Sequence, residues 1–140
     1  MTNVKFYWIY ILEVLNGKLY TGYSSNLLRR YREHLKGTAG SKFTRAFKVK
    51  KLRQCWRVYE NLATVMKLEY LVKKQSRDKK LALIKIPRDL KGLAERSMQT
   101  DLRIYTFKPA RIIKAAAAAK NSRRRVKPAA LLADLQERDY

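Results

Sequence analysis

The stretch that decides the fold is residues 5–23, KFYWIYILEVLNGKLYTGY. Residues 5–15 are rich in aromatic and β-branched side chains, which favour a β-strand. The dipeptide Asn16-Gly17 is one of the strongest short signals for a hairpin turn. Residues 18–23 then supply the partner strand. The sequence therefore predicts a β-hairpin at the start of the chain.

The Asn-Gly dipeptide fits two hairpin registers, which place Tyr10 and Tyr20 differently. A two-residue loop pairs Tyr10 with Tyr23 and turns the two phenols to opposite faces, because side chains alternate along a strand. A three-residue loop that ends in a left-handed Gly17 pairs Tyr10 with Gly22 and puts both phenols on one face. A joint role of the two tyrosines requires the second register or an equivalent bulge. Strand propensity alone also explains tyrosines in a strand.

Patterns downstream of the hairpin predict one more strand and three helices. Ser24 and Ser25 are suitable residues to cap a helix, and Gly37 is a typical residue to end it. The apolar stripes of the helices must be buried against the sheet. We therefore expect an α/β fold in the order β-β-α-β-α-α, with helices flanking a three-stranded sheet that is mixed or antiparallel. The expected segments are a helix with the stripe Leu27, Leu28, Tyr31 and Leu35, a basic loop over 38–51, a strand over 52–59, a helix over 62–75 and a short helix over 76–84.

The chain changes near Pro87 in both charge and apolar periodicity. Residues 1–86 carry 20 basic and 5 acidic side chains, whereas residues 87–140 carry 13 and 6. We expect a domain over 1–86 and a basic, alanine-rich, helical extension over 87–140. The extension is expected to contain a helix over 88–97, a connector over 106–109 and a helix over 110–120, where five consecutive alanines have high helix propensity.

The composition favours a nucleic-acid partner. The chain has 33 Lys and Arg against 11 Asp and Glu, a formal net charge of +22, which suits a polyanion. The apolar run over 7–15 is far shorter than the roughly 20 residues of a membrane-spanning helix, so no membrane association is expected. Cys55 is the only cysteine, which excludes a disulfide within the chain and a cysteine zinc site. We therefore expect a reducing, cytoplasmic location.

Basic side chains on the first helix are candidates for phosphate contacts. Arg30 and His34 are four residues apart, so they share a helix face beside the apolar stripe. A guanidinium there presents a planar fork to a phosphate, and a helix N-terminus attracts anions. For Arg29 and Arg32, a solvated helix surface is the simpler interpretation. His34 is the only histidine, so neither a metal site made of histidines nor a Ser-His triad is possible.

One acidic residue stands out in the helix over 62–75. Glu69 falls in the expected apolar stripe of that helix, where a carboxylate is rare without a partner or a metal ion. Two interpretations remain open, a buried salt bridge to Arg30 or a lysine, and an anchor for Mg²⁺, which keeps much of its hydration shell. The other members of the expected stripe are Leu62, Val65, Met66 and Val72.

Four short motifs occur in order along residues 5–86. They are WIY at 8–10, YTG at 20–22, RRYREH at 29–34 and KLEYLVKK, which contains Glu69. The set resembles the GIY-YIG nuclease superfamily, above all its small single-domain bacterial members. In those members a K-x-x-R-x-x-K-L-x-L-I-like stretch follows, echoed here by residues 74–84. The resemblance implies a β-β-α-β-α core, in agreement with the element order above.

The resemblance also implies hydrolysis of a phosphodiester with one divalent ion. Tyr10, the GIY tyrosine, would be the general base, as a phenolate or through a water, although Tyr20, the YIG tyrosine, is the alternative base. A free phenol has a pKa of about 10, so nearby cations are expected to lower it or to help it pass on the proton. Arg30 would stabilise charge on the phosphorane, and Glu69 would hold Mg²⁺ or Mn²⁺. Tyr20 and His34 would orient water or phosphate.

Two positions depart from the pattern of the family. Trp8 stands where GIY has its glycine, and Thr21 stands where YIG has its isoleucine. Neither position supplies the chemistry. The large Trp8 side chain is nevertheless expected to alter the floor of the site or the packing of the sheet.

Basic residues outside the motifs are candidates for contacts with a nucleic-acid backbone. Phe43 and Phe47 lie among them and would stack on unpaired bases, or pack beneath the loop as aromatic side chains usually do. The expected nucleic-acid-binding residues are Arg29, Lys42, Phe43, Arg45, Lys48, Arg123, Arg124 and Arg125, and the same backbone is expected to pass Lys50, Lys51, Arg53 and Arg57.

The function expected from these residues is a metal-dependent endonuclease that acts on single-stranded or branched DNA. Two alternatives are a nucleic-acid-binding protein that has kept the scaffold without turnover and a nuclease directed at RNA. The complete set Tyr10, Tyr20, Arg30 and Glu69 favours an enzyme, because a protein that only binds does not need it.

Overall fold

The computed structural model describes residues 3–37 and 48–121, with side chains as far as residue 118. In this part of the chain, five helices flank a four-stranded sheet. The elements are β1 (Val4–Val14), β2 (Leu19–Ser24), α1 (Leu27–Lys36), β3 (Val49–Asn61), α2 (Leu62–Lys73), α3 (Arg77–Lys85), α4 (Asp89–Met98), β4 (Ile104–Phe107) and α5 (Pro109–Asn121). As far as α3, the described elements follow the expected order β-β-α-β-α-α.

Neighbouring strands run antiparallel in the sheet, whose order is β2-β1-β3-β4. In the hairpin Tyr10 pairs with Gly22, and Leu12 pairs with Tyr20. This is the register of the three-residue loop, so both phenols belong to one face of the sheet. Gly17 ends the loop with a φ of 86°, a left-handed conformation in which a side chain is disfavoured.

The alternation of side chains along β1 divides the core into two layers. Ile9 and Ile11 pack on one face with apolar side chains of α2, α3 and α4. Trp8 and Tyr10 pack on the other face with side chains of α1 and α5. Because β1 lies between β2 and β3 and is covered on both faces, its sequence is a nearly unbroken apolar run.

Helix α1 begins at a cap other than the two serines that the sequence suggested. The side chain of Asn26 accepts a hydrogen bond from the backbone N–H of Arg29 at 3.1 Å. Gly37 ends the helix in the left-handed conformation, as expected. Leu35 was expected in the apolar stripe but is exposed, because the preceding residue, His34, occupies the buried position on the face turned to the sheet. The buried residues of α1 are Leu27, Leu28, Tyr31 and His34.

The expected apolar stripe of α2 is partly wrong. Leu62 and Met66 are exposed. Glu69 is half-buried at the border of the face that packs on the sheet. The sheet contacts select a face rotated from the expected one, and its buried residues are Val65, Leu68, Leu71 and Val72.

The segment after Pro87 completes the sheet and both layers of the core. The connector expected over 106–109 is wrong, because β4 pairs there with the outer edge of β3. Leu90, Ala94, Leu102 and Ile104 join one layer of the core, while Phe107, Ile112, Ala115 and Ala116 join the other. The helix expected over 110–120 is present as α5, and its alanines let it pack closely on its neighbours. Residues 87–118 therefore combine helices with a strand, and they pack as part of the same body as residues 3–37 and 48–86.

Among the described residues, no helix is both long enough and apolar enough to cross a membrane.

Substitution of Phe107 tests whether β4 is part of the same folded unit as the rest of the sheet. Its buried ring packs edge to face on Trp8, with 4.9 Å between ring centroids. Phe107→Ala is expected to lower the free energy of unfolding by about 3–5 kcal/mol, since it leaves a cavity beneath a central strand. Urea denaturation followed by circular dichroism measures this change. Tyr105→Ala, on the same strand but with an exposed side chain, is the control and should cost about 1 kcal/mol or less. Equal, small effects of both substitutions would mean that β4 is an appendage.

Candidate active site

Four of the five candidate catalytic residues meet at the outer edge of β2. Tyr10 comes from β1, Tyr20 from β2, Arg30 from α1 and Glu69 from α2, and all four line one open cavity of about 290 Å³. His34 is not among the lining residues. The remaining residues of the lining are Gly22, Tyr23, Ser24 and Arg29.

The ring of Tyr10 lies directly against Gly22, its partner in the hairpin. A Cβ atom on Gly22 would stand 2.6 Å from the Tyr10 hydroxyl oxygen and 2.7 Å from the ring carbon that carries it. Both distances are far inside van der Waals contact. The glycine is therefore required by the space that the phenol occupies. The missing side chain of Gly22 lets the Tyr10 hydroxyl reach the cavity across the edge strand.

Two side chains of α1 bind the Tyr10 hydroxyl. The oxygen lies 2.9 Å from Nε2 of His34. It is also hydrogen-bonded to the Arg30 guanidinium, which is only a donor. Burial, and secondarily the charge of Arg30, lowers the pKa of His34 to about 4. The ring is therefore neutral near pH 7, and Nε2 is able to accept a hydrogen bond from the phenol. His34 was expected to orient water or phosphate, but it is buried, contacts Tyr10 and is not among the described residues that line the cavity.

Burial raises the pKa of Tyr10 above that of a free phenol. The neighbouring phenol of Tyr20 acts in the same direction, whereas the hydrogen bond and charge of Arg30 oppose the shift. The expectation that cations lower this pKa is therefore wrong for the protein alone, because one guanidinium does not outweigh the loss of hydration. Tyr10 keeps its proton at neutral pH in this state.

Arg30 is held in place from its own helix. Its guanidinium lies 3.4 Å from the carboxylate of Glu33, which pairs with Arg29 at the same distance. About a third of the Arg30 side chain remains exposed. Arg29 also lines the cavity but is mostly exposed. The two arginines therefore bring positive charge to one wall, with Arg30 the better anchored of the two.

Glu69 forms the acidic wall opposite this helix. Burial raises the pKa of its carboxyl, and the charge of Lys73 partly opposes that shift. Within residues 3–37 and 48–118, the carboxylate has no salt bridge, and Arg30 pairs with Glu33 instead. The interpretation of Glu69 as a buried ion pair with Arg30 is therefore wrong. The acid stands half-buried at the edge of a cavity, where a cation would be a suitable partner.

The donor set around the cavity fits a small, hydrated divalent ion. The described part of the chain contains no cluster of three or more His, Cys, Asp or Glu side chains that could enclose a metal ion. Among the described residues that line the cavity, Glu69 is the only carboxylate. Mg²⁺ commonly binds through one or two carboxylates plus phosphate oxygens and keeps several waters. The open cavity leaves room for those waters and for a phosphate.

The other basic candidates lie in different environments. Arg53 and Lys50 form salt bridges with Glu13, and the buried Arg57 stacks on the ring of Phe6, with 3.9 Å from its guanidinium carbon to the ring centre. Arg57 is thus unable to follow a phosphate backbone, because its side chain is inside the protein. Lys48 and Lys51 are exposed. The candidates Lys42, Phe43, Arg45, Phe47, Arg123, Arg124 and Arg125 lie outside the described residues.

Sequence reasoning missed two residues of the cavity lining, Tyr23 and Ser24. Tyr23 packs partly on the layer of the core that contains α2, on the opposite face of β2 from Tyr20. Because β2 is an edge strand, one cavity is able to extend around it and to contact side chains on both of its faces. The alternating pattern of a strand does not reveal such an arrangement. The departures Trp8 and Thr21 are both buried and do not line the cavity.

Comparison with known proteins gives consistent matches to the first part of the chain. A family model described as the GIY-YIG catalytic domain matches residues 6–82. A UPF0213 protein of Syntrophus aciditrophicus is 41% identical over 78 residues, which cover 56% of this chain and 88% of that protein. A UPF0213 protein of Fusobacterium nucleatum is 33% identical over 81 residues, which cover 58% of this chain and 79% of the relative.

A solved structure is also similar in sequence, the solution NMR structure of a UPF0213 protein from Bacillus halodurans. It is 35% identical, and the match covers 59% of this chain and 85% of that one, with a TM-score of 0.36.

Because the chain has a single imidazole, an NMR titration directly tests whether His34 is buried. NMR titration should give a His34 pKa of about 4 rather than its ordinary 6.5. Because the unfolded chain takes up the proton first, the contribution of His34 to stability is full above pH 6.5 and lost as the pH falls towards 4. Tyr10→Phe should leave this pKa low, since burial is the main cause. A titration near 6.5 in the folded wild-type protein would show that the ring is exposed to water.

Proposed function

This chain belongs to the GIY-YIG catalytic domain family, a family of the nuclease type, and on that basis we propose that it is a metal-dependent DNA endonuclease. The observation that carries the proposal is the convergence of Tyr10, Arg30 and Glu69, from three separate elements, on one open cavity. A phenol, a guanidinium and a carboxylate around such a space are the groups required to hydrolyse a phosphodiester with one ion.

In the proposed reaction, Tyr10 is the general base in its phenolate form. The hydroxyl first loses its proton to solvent through the open cavity, and the phenolate oxygen then takes a proton from the attacking water. Burial keeps the phenol protonated in the free protein, so the phenolate must be favoured by positive charge. Arg30 supplies part of this charge and a hydrogen bond. His34 contacts the same hydroxyl and fixes its direction. We assign the base to Tyr10 on these contacts, with Tyr20 as the alternative.

Arg30 and Glu69 act on the phosphate from opposite walls. With part of its side chain open to the cavity, Arg30 is placed to stabilise the charge that develops on the phosphorane. Glu69 holds one Mg²⁺ or Mn²⁺ ion, which when bound polarises the phosphate and assists the leaving oxygen. Tyr20 and Arg29 position the substrate at the rim of the cavity.

Single-stranded or branched DNA is the proposed substrate. The cavity lies at the edge of the sheet and is open, which suits a phosphate on a strand that is able to bend towards it. The net charge of +22 supplies affinity for the backbone. We place the protein in the cytoplasm, where the buried, free thiol of Cys55 stays reduced.

Replacement of Glu69 tests the metal site. Glu69→Gln keeps the shape of the side chain but loses the charge that holds the ion, so cleavage should fall by at least about 100-fold while DNA binding in EDTA persists. The assay incubates labelled single-stranded, duplex and forked DNA, and matching RNA, with Mg²⁺, Mn²⁺ or EDTA. Asp78→Asn, an exposed change of the same kind on α3, is the control. Cleavage by Glu69→Gln at the wild-type rate would refute the assignment, and cleavage of RNA alone would refute the substrate.

Tyr10→Phe tests the general base. Removal of the hydroxyl should lower the single-turnover rate about 10²–10⁴-fold. Since the pKa of Tyr10 is raised, the wild-type rate should increase with pH through the neutral range, and the variant should lose this increase. Tyr31→Phe, in the same layer of the core but outside the cavity lining, serves as the control. If Tyr20→Phe instead removes the pH dependence and Tyr10→Phe keeps it, the roles of the two tyrosines are exchanged.

A further inference from the structure

A second cavity lies where β2 begins, on the side of the sheet covered by α2 and α3. Its volume is about 230 Å³, and its lining consists of Lys18, Leu19, Arg77 and Lys80. Three of these four residues are basic, and none of the described residues that line the cavity is acidic. Arg77 and Lys80 are three residues apart on α3, so they share one face of the helix.

The hairpin turn holds the Arg77 guanidinium in position. The Arg77 guanidinium donates a hydrogen bond to the carbonyl oxygen of Gly17 at 2.5 Å. The contact joins residues 60 positions apart and ties the start of α3 to the loop that sets the register of the hairpin. The arginine is therefore placed by the fold and keeps further N–H donors for another acceptor.

Lys80 is repelled by a further cation outside the lining of this cavity. Burial lowers the pKa of Lys80, and the charge of Lys73 lowers it further. The charge of Lys73 also acts on Glu69, so Lys73 is near both Lys80 and the candidate active site. The repulsion between Lys73 and Lys80 is unfavourable, and a bound anion would relieve it. The acid nearest in sequence, Asp78, is exposed and does not line the cavity.

We propose that Lys18, Arg77 and Lys80 form a second phosphate subsite, which holds the backbone of the polynucleotide at a fixed distance from the phosphate that is cut. The inference rests on the proposed function, because it takes the substrate to be a nucleic acid. It also assigns a role to Arg77 and Lys80 of the stretch over 74–84, which the reaction itself does not use.

The two cavities adjoin the same edge strand, which suits one continuous strand of nucleic acid. Leu19 lines the second cavity, and its neighbour Tyr20 lines the first from the opposite face of β2. The substrate would pass around the edge of β2 from one cavity to the other.

The test is a comparison of Lys80→Gln with Lys79→Gln, using the full chain. Lys79 is on the same helix and exposed, but it does not line the cavity. Binding of a labelled single-stranded oligonucleotide of about 16 nucleotides is measured by fluorescence anisotropy in EDTA over a range of salt concentrations. Loss of one phosphate contact should weaken binding about fivefold at 0.1 M salt and reduce the salt slope by about 0.7. Lys79→Gln should change affinity less than twofold.

A second readout separates binding from a structural role. Lys80→Gln removes one of several like charges, so its melting temperature at low salt without DNA should rise by roughly 2 °C. A lower melting temperature together with weaker binding would overturn the proposal, because Lys80 would then be a structural residue. A salt slope equal to that of Lys79→Gln would overturn it as well. These binding measurements are made without a divalent ion and do not depend on cleavage. Absence of cleavage in the separate assay with Mg²⁺ or Mn²⁺ would therefore refute the nuclease and leave this result intact.

Discussion

The pairing of Tyr10 with Gly22 is the constraint on which the rest of the site depends. It is set by the three-residue loop that ends at Gly17, whose left-handed backbone completes the turn. A slip of one residue would move every side chain of β2 to the other face of the sheet. In the observed register, the phenol of Tyr10 fills the space that a side chain at position 22 would take. The same loop also anchors Arg77 through the carbonyl oxygen of Gly17, so one turn positions both cavities.

The ionisable groups of the site are shifted towards their neutral forms by burial. The pKa of Tyr10 is raised, the pKa of Glu69 is raised, and the pKa of His34 is lowered to about 4. Arg30 remains charged among them and binds the phenol directly. Each shift has the same cause, the loss of hydration at the junction of a sheet edge and two helices. Charges brought by a ligand therefore act more strongly here than in bulk water, because the surrounding protein lowers the local dielectric constant.

The last described elements explain why the chain tolerates a tryptophan at position 8. The indole of Trp8 is fully buried, packs on Phe107 of β4 and lies beside the guanidinium of Arg57. Both partners are on the side of β1 away from the edge where the cavity opens, since β3 and β4 lie there. The additional strand thus provides the space for the larger side chain. The substitution changes the packing of the sheet and leaves the cavity lining unaltered.

The sequence by itself determined the order of the described elements as far as α3 and the residue types of the site, because turn chemistry, strand propensity and helix periodicity are local. It placed the start of β3 three residues late, at position 52 instead of Val49. It left two registers open for the hairpin, and only the structure shows that the three-residue loop, which unites Tyr10 with Tyr20, is the one adopted. Only the tertiary structure decided that His34 lies behind Tyr10, that Arg57 is buried and that residues 104–107 form a strand. These features depend on which faces meet across long separations in the chain, and a local pattern does not contain that information.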